Sequence, residues 1–306
     1  MQAALLPERG VVKLAGPDAR HFLNNIVTND LGPPGRDGAR FAALLTPQGK
    51  IIIDFIAVAI PPTDGDGFFL DCPKALAETL AAKLTFYRLR AKVTIDNLSE
   101  ALGVLAVWDD DVAALTRADS DYGLAYQDPR LAALGLRMIV PTELAAETAA
   151  DLSATQVDAA DYDARRIGLG VPRGGQDFSY LDTFPHEADM DQLAGIDFTK
   201  GCYIGQEVVS RVEHRSAARN RVVQVRYDGP APAPGTEVFA GDKPLGVMGS
   251  AVDGKGLALL RLDRFGDALS AGIAVSAGGV TLNPTKPDWA TFAWPDGSSP
   301  SKAATS

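Results

Sequence analysis

The 306-residue chain is 46% hydrophobic and 22% charged, with a formal net charge of −10. Such a composition supports one large core or two to three smaller ones, and the negative charge argues against broad adhesion to nucleic acid or to an anionic membrane. Two cysteines, Cys72 and Cys202, exclude a disulfide framework and have no metal-ligand spacing.

The N-terminus shows neither a basic-then-apolar leader nor an Arg/Ser-rich transit segment, so a cytoplasmic protein in a reducing compartment is expected. Residues 10–15 read as a strand. Pro17 and Asp18 then open a helix with Phe22, Leu23, Ile26 and Val27 on one face. After a Pro/Gly loop over 32–38, residues 41–45 and 50–60 predict two strands turning at Thr46-Pro47-Gln48-Gly49. The longest apolar run, 51–62, contains Asp54 and is shorter than the roughly 18 residues of a membrane span.

Residues 68–70 predict a strand, and Pro73 suits the first turn of a helix carrying Leu76, Leu80 and Leu84 at four-residue spacing. A strand over 89–95 would project Arg88 and Arg90 to one side. There follow a strand at 103–107, a short helix at 112–115, a strand at 136–140, and helices over 142–152 and 157–166. Hairpins mixed with helices predict an α+β fold rather than a repeated βαβ sheet.

Past Arg219 the pattern changes. Short strands at 221–226, 236–240, 244–251 and 256–261, with a weaker one at 273–275, are separated by Gly and Pro and predict a small barrel or sandwich. The expected division is therefore 1–218 as an α+β region, 219–286 as a C-terminal β-barrel, and 287–306 as a partly disordered tail.

Residues 200–211 concentrate chemistry: Lys200, Cys202, Gln206, Glu207 and Arg211 lie within 12 residues. Glycines flank Cys202, and Val208, Val209 and Val212 predict a helix starting just beyond it. Cys202 is either a buried structural thiol or a reactive one whose thiolate Lys200 and the helix N-terminus favour. Gln206 and Glu207 are positioned to orient the loop, and Arg211 to pair with Glu207 at i to i+4 or with a ligand carboxylate. Over 200–221, five cations including Arg221 face two acids, a local excess of +3 that would draw a small anion or balance the acidic segment 182–197. His186 and His214 have no second convincing ligand nearby in sequence, so no metal site is expected.

The run Lys200-Gly201-Cys202-Tyr203-Ile204-Gly205-Gln206-Glu207 with Arg211 resembles the signature of the YgfZ-type folate-binding proteins, relatives of the glycine-cleavage T-protein. The resemblance extends through Gly16-Pro17-Asp18-Ala19, Thr28-Asn29-Asp30, Leu45-Thr46-Pro47-Gln48-Gly49-Lys50, residues 87–93, residues 166–172 and Pro185-His186-Glu187. It fades beyond about Arg226. It implies a T-protein-like fold with a C-terminal barrel, tetrahydrofolate or a derivative as cofactor in a central cavity with Cys202 near its rim, and support for iron–sulfur cluster assembly or repair, tRNA-modifying clients included.

On that resemblance Glu187 would accept the amino-pyrimidine edge of a pterin, and Tyr162 would stack on the ring or else belong to the core. Asp54, Gln206, Glu207, Arg211 and Arg221 would complete the binding set. T-proteins carry an acid pair where this chain has Ile53 and Asp54, and an acid in place of Cys202. The departures favour an accessory factor over an aminomethyltransferase. Iron–sulfur assembly proteins or client enzymes are the implied partners, with no direct nucleic-acid or membrane contact.

Overall fold

The computed structural model describes residues 1–32, 38–60, 65–109, 123–214 and 218–295. The chain divides into two compact units: Met1–Arg165 with Leu193–Val208, and Arg166–Gln192 with Val209–Ser306.

In chain order the first unit contains β1 (Gln2–Leu5), β2 (Arg9–Ala15), α1 (Ala19–Asn24), β3 (Ala39–Leu45), β4 (Ile51–Ala59), β5 (Gly67–Pro73) and α2 (Ala77–Arg88). There follow β6 (Thr94–Asn97), β7 (Leu102–Trp108), β8 (Leu124–Gln127), β9 (Leu136–Pro141), α3 (Ala145–Asp151) and β10 (Thr155–Gln156). The unit boundary falls within α4 (Ala159–Leu169) and again within α5 (Gln206–His214). One antiparallel sheet runs β3-β4-β5-β2-β6; the other runs β10-β1-β7-β9-β8, antiparallel except for the β1–β10 edge pair. β4 is buried on both faces, which is why it reads as a near-continuous apolar run rather than an alternating one. Leu23, Phe55, Leu70, Leu80 and Leu84 share its core, so the four-residue leucine spacing of α2 is the stripe that docks the helix.

Buried ions join the two sheets of this unit. Asp71 of β5 accepts from Arg9 Nε (2.6 Å), Arg137 Nη1 (2.7 Å) and the Tyr126 hydroxyl (2.9 Å). Arg137 also donates through Nε to Asp128 (2.8 Å), which Arg130 grips as well (2.7 Å). Burial opposes ionisation of Asp71, but the guanidiniums of Arg9 and Arg137 outweigh it and hold its carboxyl below the usual range.

The second unit holds β11 (Asn220–Tyr227), β12 (Glu237–Ala240), β13 (Lys243–Val252), β14 (Lys255–Arg261), α6 (Leu262–Ser270), β15 (Val275–Ala277) and β16 (Val280–Thr285). Its six strands close as β11-β14-β13-β12-β15-β16, so no strand edge is left unpaired. Val223, Val225, Leu245, Leu260 and Leu282 fill the barrel, and α6 adds Leu262 and Phe265. Residues from the expected tail are packed here: Ala290 is buried, and the Trp289 indole donates to Leu169 O (2.7 Å). Residues 296–306 lie outside the described residues.

The α+β fold with a C-terminal barrel is as expected, but five elements were not legible, among them the two-residue edge strand β10. β1 is Gln-Ala-Ala-Leu without a β-branched residue, β8 is a four-residue edge strand, α6 carries Gly266, and β16 contains Pro284. The strand expected at 89–95 is corrected. Leu89 leaves α2 at φ 47°, a turn follows, and β6 starts at Thr94, so Arg88 ends a helix and does not alternate with Arg90 on a strand. The helix expected at 112–115 lies outside the described residues.

Candidate functional site

The segment that carries Cys202 is held by two others from the first unit, the stretch from the end of α1 to Asn29 and the Thr46–Lys50 turn. Thr28 Oγ1 donates to Gly195 O (2.6 Å), and Asn29 Nδ2 donates to Ala194 O and Phe41 O (2.7 Å each). The Asp197 amide in turn donates to Thr28 O (3.0 Å). Asp197 Oδ1 accepts from Thr199 N (2.7 Å), Thr199 Oγ1 (2.7 Å) and Lys200 N (3.1 Å), a local turn that replaces ladder hydrogen bonds.

Lys200 closes the assembly. Its Nζ donates to Asn24 O (2.6 Å), Val27 O (2.7 Å) and Asn29 O (2.8 Å), capping the carbonyls at the end of α1 and just after it. Burial lowers this ammonium to about 8, with Asp30 and Asp197 opposing the shift. The role read from sequence, activation of the neighbouring thiol, is thereby corrected: all three donors of the ammonium go to carbonyls, and Lys200 acts as a tether.

Farther along, Tyr203 is buried and Ile204 packs against the sheet core. Gly205 takes φ +83° against the Thr46–Lys50 turn, where an added Cβ would stand 2.6 Å from Thr46 O. That position requires glycine. Gly201 has open space around it. Between these anchors Cys202 is exposed, whereas Cys72 is buried in β5 and burial pushes its thiol up to about 12. Residues 196–199 of the same loop, with Asn29, Arg40 and Phe41, line a cleft of about 440 Å³. Phe198 is 40% exposed.

Gln206 opens α5, its amide donating to Tyr203 O (3.3 Å). Glu207 and Arg211 are exposed on α5, and among the described residues no ion pair joins them, so the expected i to i+4 bridge is absent. Asp54 is buried in β4 opposite Ala43, next to the fully buried Ile53. Of the two readings of Tyr162, the core one holds and the place in the cofactor-binding set is corrected. It is 4% exposed, lies 5.3 Å from the Trp108 ring, and its hydroxyl accepts from Arg137 Nη2 at 3.3 Å.

In the second unit both Glu187 oxygens are taken, Oε2 by Phe184 N (2.8 Å) and Oε1 by Asn220 Nδ2 (2.7 Å). The residue lines a cleft of about 290 Å³ with His186, Arg219, Asn220 and Arg261. Arg221, expected to bind cofactor, instead makes a two-point pair with Asp191 (2.6 and 2.9 Å), donates to His186 O (2.7 Å), and lies 4.8 Å from the Phe292 ring. This is a buried structural clamp. The fold also supplies what the sequence did not show for His186: its Nε2 meets Glu213 Oε2 at 3.1 Å, and Asp191 lies within the same 4.8 Å cluster. Asp191 already satisfies Arg221, so the trio belongs to an ion-pair network. Spacings of 5 and 22 residues carried no signal for it.

Residues 219–292 match the family described as CAF17, C-terminal beta-barrel domain. The chain is 31% identical over 310 residues to the iron-sulfur cluster assembly factor IBA57, mitochondrial, of Homo sapiens, covering 95% of this chain and 84% of that protein. The Mus musculus protein of the same name is 31% identical over 318 residues with the same coverage. A Pyricularia oryzae homolog is 33% identical over 227 residues, 73% of this chain and 57% of its own length. In fold, the chain is similar to the glycine cleavage system aminomethyltransferase T of Bartonella henselae, with TM-score 0.75 and 16% identity over 96% of this chain and 87% of that one. The expectation of a cytoplasmic protein is overturned here, since these relatives are mitochondrial by name.

Proposed function

Because the chain belongs to the family of the iron–sulfur cluster assembly factor IBA57, we propose that it takes part in iron–sulfur cluster assembly and that Cys202 offers one thiolate to a cluster in transit. The contrast between the two thiols carries this reading: Cys72 is fully buried, while Cys202 stands exposed on a loop anchored on both sides. A cluster takes several thiolate ligands. The others therefore come from a partner protein of the assembly machinery, for which the cleft bordered by Arg40, Phe41 and Phe198 leaves room beside residues 196–199.

Tetrahydrofolate lacks comparable support within the described residues of either unit. Tyr162 and Arg221 are committed to buried contacts, and each Glu187 oxygen already accepts an internal hydrogen bond. Aminomethyl transfer is given none either, with Ile53 buried where T-proteins have an acid.

In a host lacking the protein, Cys202→Ser is expected to leave cluster-dependent enzymes at the activity of the deletion, while Cys72→Ala restores them. Full complementation by Cys202→Ser would sink the assignment.

A further inference from the structure

At the end of α2 the chain exposes apolar side chains that nothing described covers. Phe86 is 73% exposed and Leu89 is 89% exposed, the two most exposed of the large hydrophobic residues described. Leu89 sits at φ 47°, ψ −104°, a backbone conformation that a leucine adopts only at a cost. The turn is nonetheless fixed. Ala91 N donates to Arg88 O (2.8 Å), Val93 N to Ala91 O (3.0 Å), Arg88 Nη1 to Val93 O (3.4 Å) and Lys92 N to Asp18 Oδ2 (2.7 Å). Gly16 admits the Lys92 carbonyl where a Cβ would collide. A strained leucine held rigidly outward gains nothing inside the molecule, which points to a use outside it.

Charge surrounds the pair. Lys83, Arg88, Arg90 and Lys92 are all exposed, and no acid occurs between Glu78 and Asp96. Among the described residues none of these four is in an ion pair. The whole chain is at −10, but at physiological salt a surface senses charge only within about 8 Å, so the patch acts as a local cation. Asp18, at the base of the turn, accepts from the Lys92 amide. Two apolar side chains are a small area beside the roughly 800 Å² that each partner of a stable protein complex covers. They suffice to enter a bilayer interface, where acyl chains close around each side chain and flanking cations meet phosphates.

We propose that the α2–β6 turn is a peripheral docking site for an anionic lipid surface, with Phe86 and Leu89 entering the interface and Lys83, Arg88, Arg90 and Lys92 pairing with lipid phosphates. It is a surface contact of the folded protein, in keeping with the finding that no helix among the described residues is long and apolar enough to cross a membrane.

The test is co-sedimentation of the full chain with vesicles of phosphatidylcholine alone and of phosphatidylcholine with about one third phosphatidylglycerol, at low and at roughly half-molar salt. Partitioning is expected to be about tenfold or more stronger on the anionic vesicles and to vanish at high salt. Phe86→Ser and the pair Arg90→Glu with Lys92→Glu should each reduce it by about tenfold. Leu89→Gly separates binding from folding: it relieves the positive φ, so its melting temperature holds or rises while partitioning falls. Equal recovery on neutral and anionic vesicles overturns the proposal, as does unchanged partitioning of Phe86→Ser and Leu89→Gly. Retention on double-stranded DNA without vesicle binding would overturn it too, assigning the cations to nucleic acid.

Discussion

Lys200 donates its ammonium to three carbonyl oxygens and, in doing so, sets the course of the loop that presents Cys202. Replacing it by methionine keeps the length of the side chain and leaves those carbonyls without a donor, at a cost of about 1–3 kcal/mol near neutral pH. The pH dependence has a definite sign. Burial lowers the folded ammonium to about 8 from 10.5, so between those values the unfolded chain holds a proton that the folded chain has released. Stability from this group therefore rises as pH increases through that window, and the neutral amine still has two donors for the carbonyls. Urea unfolding of the native protein below pH 8 and near pH 10 should show the rise, and Lys200→Met should lack it. The same pH dependence in both proteins would remove Lys200 from the explanation.

The loop of residues 193–205 works as an element because separated segments close on it at fixed points. Its tightest contact is Gly205 against the Thr46–Lys50 turn, where φ +83° and the nearness of Thr46 O both exclude a side chain. Gly205→Ala is expected to lower stability by about 1–3 kcal/mol. Gly201→Ala, whose Cβ would meet nothing within 4 Å, should stay within about 0.5 kcal/mol. Thermal melts of the two variants check the contrast, and equal melting temperatures would show that the turn tolerates a Cβ. Lys200, Cys202 and the flanking glycines were legible as a site because unlike chemistries crowd into one short run. The tether was not, since Thr28 and Asn29 lie more than 160 positions from the residues 194 and 195 that they hold, and only the fold brings them together.

Across the first unit, the Arg9–Asp71–Arg137–Asp128 chain of ions joins two sheets that share no ladder. Arg137→Met leaves the Asp71 and Asp128 carboxylates short of a buried partner and should cost about 3–5 kcal/mol. Asp71 is held below its usual 3.8, so its contribution is fully present above that value and is lost as pH falls from there through the lower value of the folded state. With Arg137 gone the Asp71 carboxyl protonates sooner on acidification. Acid unfolding followed by circular dichroism should then begin at a higher pH in the variant, and coincident acid transitions would argue against the network. By itself the sequence determined the α+β class, the hairpin of β3 and β4, the leucine stripe of α2, the late β-rich unit and the Cys202 motif, because each rests on local periodicity or on residues adjacent in the chain. Tertiary structure alone decided that Lys200 is a tether, that Tyr162 and Arg221 are buried supports, and that Leu89 points outward from a strained turn. These depend on partners from a few to 176 positions away, and a contact made across folded elements leaves no trace in the spacing of the residues that make it.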